Sequence, residues 1–318
     1  MKPYPQADLS RIRTIPIRRR KNKVRAAEFA RVYEPKGGGF ERFLASVPAI
    51  LAGRELRDLV HDIVRARKRN KPCLVMIGAH VVKVGCAPLL IDLLERGVIT
   101  GLAMNSAAAI HDVETALWGT TSEDVAANIA DGSFGMARET GEFINGVLRR
   151  GETEDAIGYG EALGRALQKA RRRRLSLLAV CYRLRVPVTV HAAIGTDIIH
   201  QQPSMDGGAT GEMSFRDFRV LCREVAGLGN GGVVLNFGSA VILPEVFLKA
   251  VTVARNLGAP VRNFSSANFD MIQQYRSRLN VVERPTGNGG RGYLFTGHHE
   301  LMIPLLAAMI NSHRLRRA

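Results

Sequence analysis

The sequence predicts an α/β fold in which a parallel β-sheet is covered by helices on both faces. Short apolar runs alternate along the chain with longer segments whose apolar residues have helical spacing. The runs are apolar nearly throughout, which is typical of strands buried on both faces of a sheet. Hydrophobic residues make up 46% of the 318 residues, so the chain can bury a large core.

Residues 1–38 are predicted to be a basic N-terminal arm, and residues 39–318 a single domain. The arm contains the basic block Arg11–Arg25, and two further blocks, Arg171–Arg174 and Arg314–Arg317, contribute to the formal net charge of +16. Aromatic residues make up 6% and do not interleave with these blocks, as base-stacking side chains would. Two interpretations stay open: solvated surfaces or an arm that docks on an acidic neighbouring subunit, and weak nucleic-acid binding without sequence specificity.

The elements of the domain follow from apolar periodicity and from Gly and Pro as boundaries. Helical spacing predicts helices over residues 43–50, 56–68, 88–96, 107–117, 215–226 and 244–257, and one long helix over residues 153–184. Gly97 is a stop signal directly after the third helix. Apolar runs bounded by Gly, Pro or polar residues predict five strands, namely Pro72–Gly78, Val98–Asn105, Val186–Ala193, Gly231–Gly238 and Ala259–Ser266.

Several classes of protein are disfavoured by the sequence. It has no run of 18 or more apolar residues, so no membrane partner is expected, and its N-terminus does not have the apolar stretch of a secretory signal. Four cysteines without CxxC spacing indicate reduced core thiols in a cytoplasmic protein. We expect no metal site, since HExxH is absent and the adjacent rings of His298 and His299 would diverge by about 100° on a helix.

Small and polar residues follow each predicted strand. They form the segments Gly78–His80, Asn105–Asp112, His191–His200, Asn236–Ala240 and Asn263–Asp270. Because ligands of an open parallel sheet bind beyond the carboxyl ends of its strands, these segments predict one crevice. Gly238 and Ser239 precede a predicted helix, an arrangement that suits a pyrophosphate, although the GxGxxG fingerprint is absent.

The segment TGHHELMIP near the C-terminus contains three titratable residues in a row, His298, His299 and Glu300. Imidazoles titrate near neutral pH and can therefore serve as general acids or bases. The alternative is that His298 and Glu300 only stabilise the N-terminus of the last helix.

Several stretches together resemble the deoxyhypusine synthase family over roughly residues 40–310. They are GAHVVKVGCAPLLIDLLERGVITGLAMNSAAAIHDVETALWG, GTDIIH, NFGSAVILPEVFLKA and NFSSANFD. The resemblance implies a Rossmann-like NAD-binding fold and a homotetramer with its sites at subunit contacts. It also implies oxidation of a polyamine amine with NAD, followed by transfer of the alkylamine group to a lysine.

The strand ends and the resemblance together give the candidate site. The predicted catalytic residues are His111, Asp112, His298, His299 and Glu300, and the predicted substrate-binding residues are Asp197, His200 and Glu245. The predicted NAD-binding residues are Gly78, His80, Asn105, Ser106, Gly238, Ser239, Ser265, Ser266 and Asp270. Two alternatives stay open, namely that His111 is a structural histidine paired with Asp112 and that Asp197 caps a helix.

The chain departs from the family at the lysine that forms the covalent imine. GGRGYLFTGHHELM stands in its place, and no lysine follows Lys249. The leading prediction is therefore NAD-dependent oxidation of an amine or polyamine to an imine, with alkylamine transfer that does not use a lysine–imine intermediate. One alternative is deamination as in ornithine cyclodeaminases, which AIHDVETALWGT distantly resembles. Another is a non-catalytic relative that binds a nucleotide or polyamine and associates with RNA or the ribosome.

Overall fold

A computed structural model describes residues 39–154 and 156–313. The predicted arm, residues 1–38, lies outside the described residues. Contacts divide the chain into residues 1–54 and 55–318, and the second unit contains the whole β-sheet. In the first unit, the described residues include a short helix, Phe40–Ser46.

Six strands form one sheet. They are β1 (Cys73–Ile77), β2 (Gly101–Asn105), β3 (Val188–His191), β4 (Val233–Phe237), β5 (Ser265–Asp270) and β6 (Arg291–Thr296). Their order is β3-β2-β1-β4-β5-β6, and every neighbouring pair is parallel. The chain runs outward from β1 to β3 and then returns to place β4 beside β1. The sheet therefore has a Rossmann-like switch point between β1 and β4, as the predicted fold class requires.

Helices make up much of the described chain, and some of them begin with a side-chain cap. In chain order they are α1 (Phe40–Ser46), α2 (Leu51–Lys68), α3 (Ala79–Lys83), α4 (Ala87–Glu95), α5 (Ser106–Leu117), α6 (Val125–Asn128), α7 (Arg138–Glu154), α8 (Tyr159–Ala166), α9 (Leu177–Leu184), α10 (Gly207–Ala226), α11 (Ile242–Asn256), α12 (Arg284–Thr286) and α13 (His299–Asn311). The side chains of Asn105, Ser176 and Asp206 cap α5, α9 and α10 by accepting backbone N–H bonds. A π-helical segment, Ser277–Glu283, precedes α12.

The core is continuous across the central strands. Leu74, Met76 and Val234 pack with Phe247 of α11 and Val225 of α10. β1, β4 and β5 are buried along their whole length, as expected for strands covered on both faces. The four cysteines are free and buried, which confirms the prediction of unbonded core thiols. Within the described residues, no helix is both long and apolar enough to cross a membrane.

The predicted fifth strand was wrong in position, and β6 was not predicted. Residues 259–264 form a turn in which Asn263 has φ +54°, and β5 starts at Ser265. The polar residues of β5 are tolerated in the interior because they are bonded; Ser266, for example, donates to the carbonyl of Val281 at 2.7 Å. β6 is an edge strand with exposed residues at both ends, which weakens the apolar signal in the sequence.

The predicted long helix over residues 153–184 was also wrong. It is interrupted after Ala166 by two 3-10 turns, Leu167–Lys169 and Arg173–Leu175, before α9 begins at Leu177. The basic block Arg171–Arg174 lies in this interruption and is largely exposed. Helix α7 was not predicted, and α10 begins eight residues earlier than the predicted residue 215.

Candidate functional site

The backbones of β1 and β4 touch at the switch point. A Cβ atom added to Gly78 would lie 2.4 Å from the carbonyl oxygen of Gly238, so only glycine permits this approach. Gly238 has φ +66°, and a Cβ atom there would lie 2.4 Å from Nε2 of His299. These two glycines therefore leave room at the carboxyl edge of the sheet for the imidazole of His299.

The three residues of the HHE segment have different environments. His299 is 1% exposed. Burial has the largest effect on its pKa and lowers it, and the charge of Asp270 opposes that shift. Its ring lies 5.9 Å from that of His80, and its Nδ1 has no hydrogen-bond partner among the described residues. His298 and Glu300 are exposed, and Nδ1 of His298 lies 3.7 Å from Oε1 of Glu300. Among the three, only His299 reaches the interior of the crevice.

A cavity of about 280 Å³ lies beside the switch point, beyond the carboxyl ends of β1, β2 and β3. Helices α3 and α5, the segment 122–137 and the turn after β3 form its walls. Its polar lining consists of Lys83, His111, Glu114, Ser122, Glu123, Thr196 and Asp197. Two of the predicted site residues, His111 and Asp197, thus lie in one cavity.

The hydrogen bonds of His111 define its tautomer. Thr121 donates its hydroxyl hydrogen to Oε2 of Glu114 at 2.5 Å, and the same hydroxyl oxygen lies 2.6 Å from Nδ1 of His111. Because that hydrogen is already used, Nδ1 of His111 must be the donor to Thr121, which leaves Nε2 as a bare acceptor. Burial, and then the charge of Lys83, lowers the pKa of His111 to about 4, so the ring is neutral at pH 7.

Asp197 occupies the opposite wall and accepts a hydrogen bond from Ser106. Burial raises its pKa, and the bond from Ser106 and the proximity of His200 oppose that shift. His200 does not line the cavity. Its Nδ1 accepts from the amides of Gly195 (3.1 Å) and Asp197 (3.2 Å), so it holds the turn that presents Asp197.

The prediction that Asp112 lies in the crevice was wrong. It is fully buried and accepts hydrogen bonds from the Ser176 hydroxyl (2.5 Å) and the amides of Leu177 (2.7 Å) and Leu178 (3.2 Å). It therefore holds the start of α9, which lies on the other side of α5 from the cavity. Burial raises its pKa to about 6 despite these bonds.

Ser265 and Ser266 were also placed wrongly by the sequence, because they begin β5 rather than follow a strand. They lie at the amino edge of the sheet, opposite to the crevice. Ser265 donates to Asp62 of α2 at 2.6 Å, and the hydroxyl of Tyr293 also reaches that carboxylate, at 3.1 Å. The register of β5 therefore contradicts the prediction that Ser265 and Ser266 follow a strand end beside the cofactor.

Three other predicted residues lie at the carboxyl edge but have structural bonds of their own. The side chain of Asn105 caps α5, Ser239 accepts from the amide of Leu243 at 3.2 Å, and Oδ1 of Asp270 accepts from the amide of Met271 at 2.8 Å. Glu245 lies in the first turn of α11, where it pairs with Lys249 and Arg276 on the surface. None of these four lines the 280 Å³ cavity.

Three charged residues of the cavity were not assigned to the site by sequence reasoning. Glu114 is one helical turn after His111 on α5, and Lys83 is one turn after His80 on α3. This i, i+3 spacing was the available signal, since such residues share a helix face. Glu123 follows a turn that the sequence does not distinguish from a surface loop, so it had no such signal.

Comparison with known proteins shows a Rossmann-like fold. Residues 57–168 match the family model for the C-terminal Rossmann fold of ArgZ-like arginine dihydrolases. Comparison with curated protein sequences gives no match. The family model covers about a third of the chain, from α2 to the first 3-10 turn after α8.

Several solved structures have a similar fold at low sequence identity. A conserved LOR/SDH-type protein from Methanococcus maripaludis S2 has a TM-score of 0.53 and 14% identity over 83% of this chain and 71% of its own. AgrE in ternary complex with ornithine and NAD+ has a TM-score of 0.52 and 13% identity, over 82% of this chain and 33% of its own.

A deoxyhypusine synthase-like protein from Entamoeba histolytica has a TM-score of 0.54 and 10% identity over 91% of this chain and 98% of its own. The cyanobacterial arginine dihydrolase ArgZ is covered over only 31% of its length. The chain therefore spans about a third of ArgZ and AgrE, and it shares a Rossmann-like fold with these proteins.

Proposed function

We propose that the chain is an NAD-dependent enzyme that oxidises an amine carbon of a small diamino acid, of which ornithine is the simplest example. The observation that carries the proposal is the charge pattern of the 280 Å³ cavity, which combines three carboxylates, one lysine and a neutral imidazole. A diamino acid has two ammonium groups and one carboxylate, which is the complementary pattern. A polyamine has no group for Lys83 to bind.

Three features of the switch point support NAD as the cofactor. Gly78 and Gly238 let the ends of β1 and β4 approach each other beneath the imidazole of His299. Helix α11 begins shortly after β4, so the positive end of its dipole favours a negatively charged group at this edge. The buried Nδ1 of His299, without a partner among the described residues, can bond a polar group brought to this edge. Bound there, NAD+ would supply the hydride acceptor for the substrate.

The residues of the cavity have distinct roles in the proposed reaction. Asp197 and Glu123 hold the ammonium groups, and Lys83 holds the substrate carboxylate. His111 accepts a proton from the reacting amine at Nε2, and the Thr121–Glu114 pair behind Nδ1 stabilises the imidazolium that forms. Water excluded from the cavity by the substrate strengthens these charge contacts.

The imine carbon is then captured within the same substrate. The second amine of a diamino acid can attack that carbon, and the first amine leaves as ammonia. This route needs no lysine that forms a covalent imine and agrees with the absence of lysine after Lys249. Transfer of an alkylamine group to an outside acceptor, the leading prediction from sequence, is the other outcome that product analysis would detect. The homotetramer and the basic arm's partner stay predictions.

The test is reduction of NAD+ at 340 nm by the whole chain with ornithine, putrescine and spermidine. Putrescine is the matched control, since it has both amines but no carboxylate. We expect turnover of ornithine, with a cyclic product and ammonia. Lys83→Met should raise KM for ornithine about tenfold, the equivalent of one charge-assisted hydrogen bond of ~1.4 kcal/mol.

Lys249→Met is the control variant, because Lys249 pairs with Glu245 on the surface of α11. It should leave KM unchanged. If all three amines fail to reduce NAD+ while the protein binds the cofactor, the proposed substrate class is wrong. If spermidine is preferred and Lys83→Met has no effect, the reaction is polyamine oxidation instead.

A further inference from the structure

A second cavity lies at the other edge of the sheet, at the amino end of β3. Its volume is about 270 Å³, near the lower end of small-molecule sites, and it lies between α8, α9 and α10. Its lining includes Gly158, Glu161, Tyr182, Arg185 and Asp217. The proposed reaction makes no use of this cavity.

Asp217 is the buried polar group of this cavity, with 1% of its surface exposed. Its Oδ2 accepts from the amides of Gly160 (2.8 Å) and Val190 (2.6 Å), whereas its Oδ1 accepts no hydrogen bond from the described residues. A Cβ atom on Gly158 would lie 1.7 Å from Oδ1, so only glycine at this position leaves room for the carboxyl group of Asp217. Because Asp217 lines the cavity and Oδ2 is already bonded, Oδ1 is the oxygen that can accept a hydrogen bond from a ligand.

The other charged groups around the cavity are arranged for a zwitterion. Glu161, on α8, adds a second carboxylate next to Asp217, as its effect on the pKa of Asp217 indicates. Arg185 ends α9 with its guanidinium 5.9 Å from the ring centre of Tyr182. The backbone of Arg185 has φ +58°, a conformation that glycine usually adopts at the end of a helix. An arginine at this position therefore has a conformational cost.

We propose that this cavity binds a small free amino acid, with its ammonium group on Asp217 and Glu161 and its carboxylate on Arg185. The inference does not depend on the proposed activity. Its ligand would be a regulator rather than the substrate, because the cavity lies at the amino end of β3 and Asp197 follows the carboxyl end.

Asp217 connects the two ends of β3. Its Oδ2 fixes the amide of Val190, three residues before Ala193 and seven before Asp197. Between the two carboxylates lies the buried hydroxyl of Tyr159, whose pKa is raised by burial and then by the charges of Asp197 and Asp217. Burial raises the pKa of Asp217 to about 8, and an ammonium group on Oδ1 would favour its ionised form. Binding would therefore change the charge that both Tyr159 and the turn after β3 experience.

The test is titration of the ¹⁵N-labelled whole chain with norvaline, and with n-butylamine and pentanoate as the two half-ligands. The amide resonances of Gly160 and Val190 should move with norvaline. They should reach saturation by roughly 10 mM, the concentration that fills about nine-tenths of a site with a Kd of 1 mM. Each half-ligand, with one charge contact removed, should bind at least about tenfold more weakly.

Two exposed variants test the assignment without disturbing the fold. Glu161→Gln and Arg185→Ala should each weaken norvaline binding about tenfold, whereas Arg183→Ala, which removes the neighbouring arginine that pairs with Glu95, should not. Asp197→Asn should leave the shifts of Gly160 and Val190 intact. Unmoved resonances with norvaline, shifts that Asp197→Asn abolishes, or equal binding by all the variants would overturn the proposal.

Discussion

The contribution of Asp217 to the stability of this protein should fall as the pH rises through neutrality. Burial, and then the negative charge of Glu161, raises the pKa of its carboxyl to about 8 against the opposing backbone bonds. In the unfolded chain the same group has a pKa of about 3.9. The native state therefore holds one more proton than the unfolded state between these values.

The sign and size follow from proton linkage. A group whose folded pKa is raised contributes stability that is present below its unfolded pKa and is lost as the pH rises through its folded pKa. With one extra native proton, the free energy of unfolding should fall by about 1.4 kcal/mol per pH unit. From pH 6.5 to 7.5 the loss attributable to Asp217 should therefore approach that value.

Comparison of the wild type with Asp217→Asn separates Asp217 from the other shifted groups, because both proteins contain those groups. Asp112, with a pKa of about 6, has largely completed its loss by pH 6.5. The buried His111 and His191, with pKa values near 4, act in the opposite direction, because only the unfolded state binds their protons, and that contribution levels off above the unfolded value of about 6.5.

The assay is urea unfolding at pH 6.5, 7.0 and 7.5 for the wild type and Asp217→Asn. The variant keeps an oxygen for the amides of Gly160 and Val190 but cannot ionise, so its free energy of unfolding should lack the loss of about 1.4 kcal/mol that Asp217 adds to the wild-type profile in this window. Asp206→Asn, at the N-cap of the same helix, is the control and should retain the wild-type slope. Equal slopes for the wild type and Asp217→Asn would refute the reasoning, since Asp217 would then be ionised in the folded protein.

Two further substitutions test the switch point and the corrected role of Asp112. Gly238→Ala should lower the midpoint of thermal unfolding well below that of Gly258→Ala. Both glycines have positive φ, but only a Cβ on Gly238 would meet another atom, Nε2 of His299 at 2.4 Å. Equal midpoints for the two variants would mean that the imidazole moves aside freely. Asp112→Ala should cost about 3 kcal/mol of unfolding free energy, roughly 1 kcal/mol for each hydrogen bond lost, with kcat unchanged. A fall in kcat at full stability would instead return Asp112 to the reaction.

The sequence predicted the elements whose signals are local. β1 to β4 lie within the predicted apolar runs, and His111, Asp197 and the glycines at 78 and 238 lie at the carboxyl edge, where the alternation of strands and helices predicts them. The failures also have local causes. The apolar residues before Asn263 predicted a strand that starts before β5 does. The helical spacing continued through Arg171–Arg174, although the chain forms a 3-10 turn there.

The sequence by itself determined the α/β class, the order of the elements and the edge of the sheet where polar residues gather, because strand burial and helix period are properties of neighbouring residues. Tertiary structure alone decided which of those residues face a cavity. Asp112 is bonded to Ser176, 64 positions away, and Ser265 to Asp62, 203 positions away. Those bonds depend on how helices pack across the sheet, a relation that no local spacing contains.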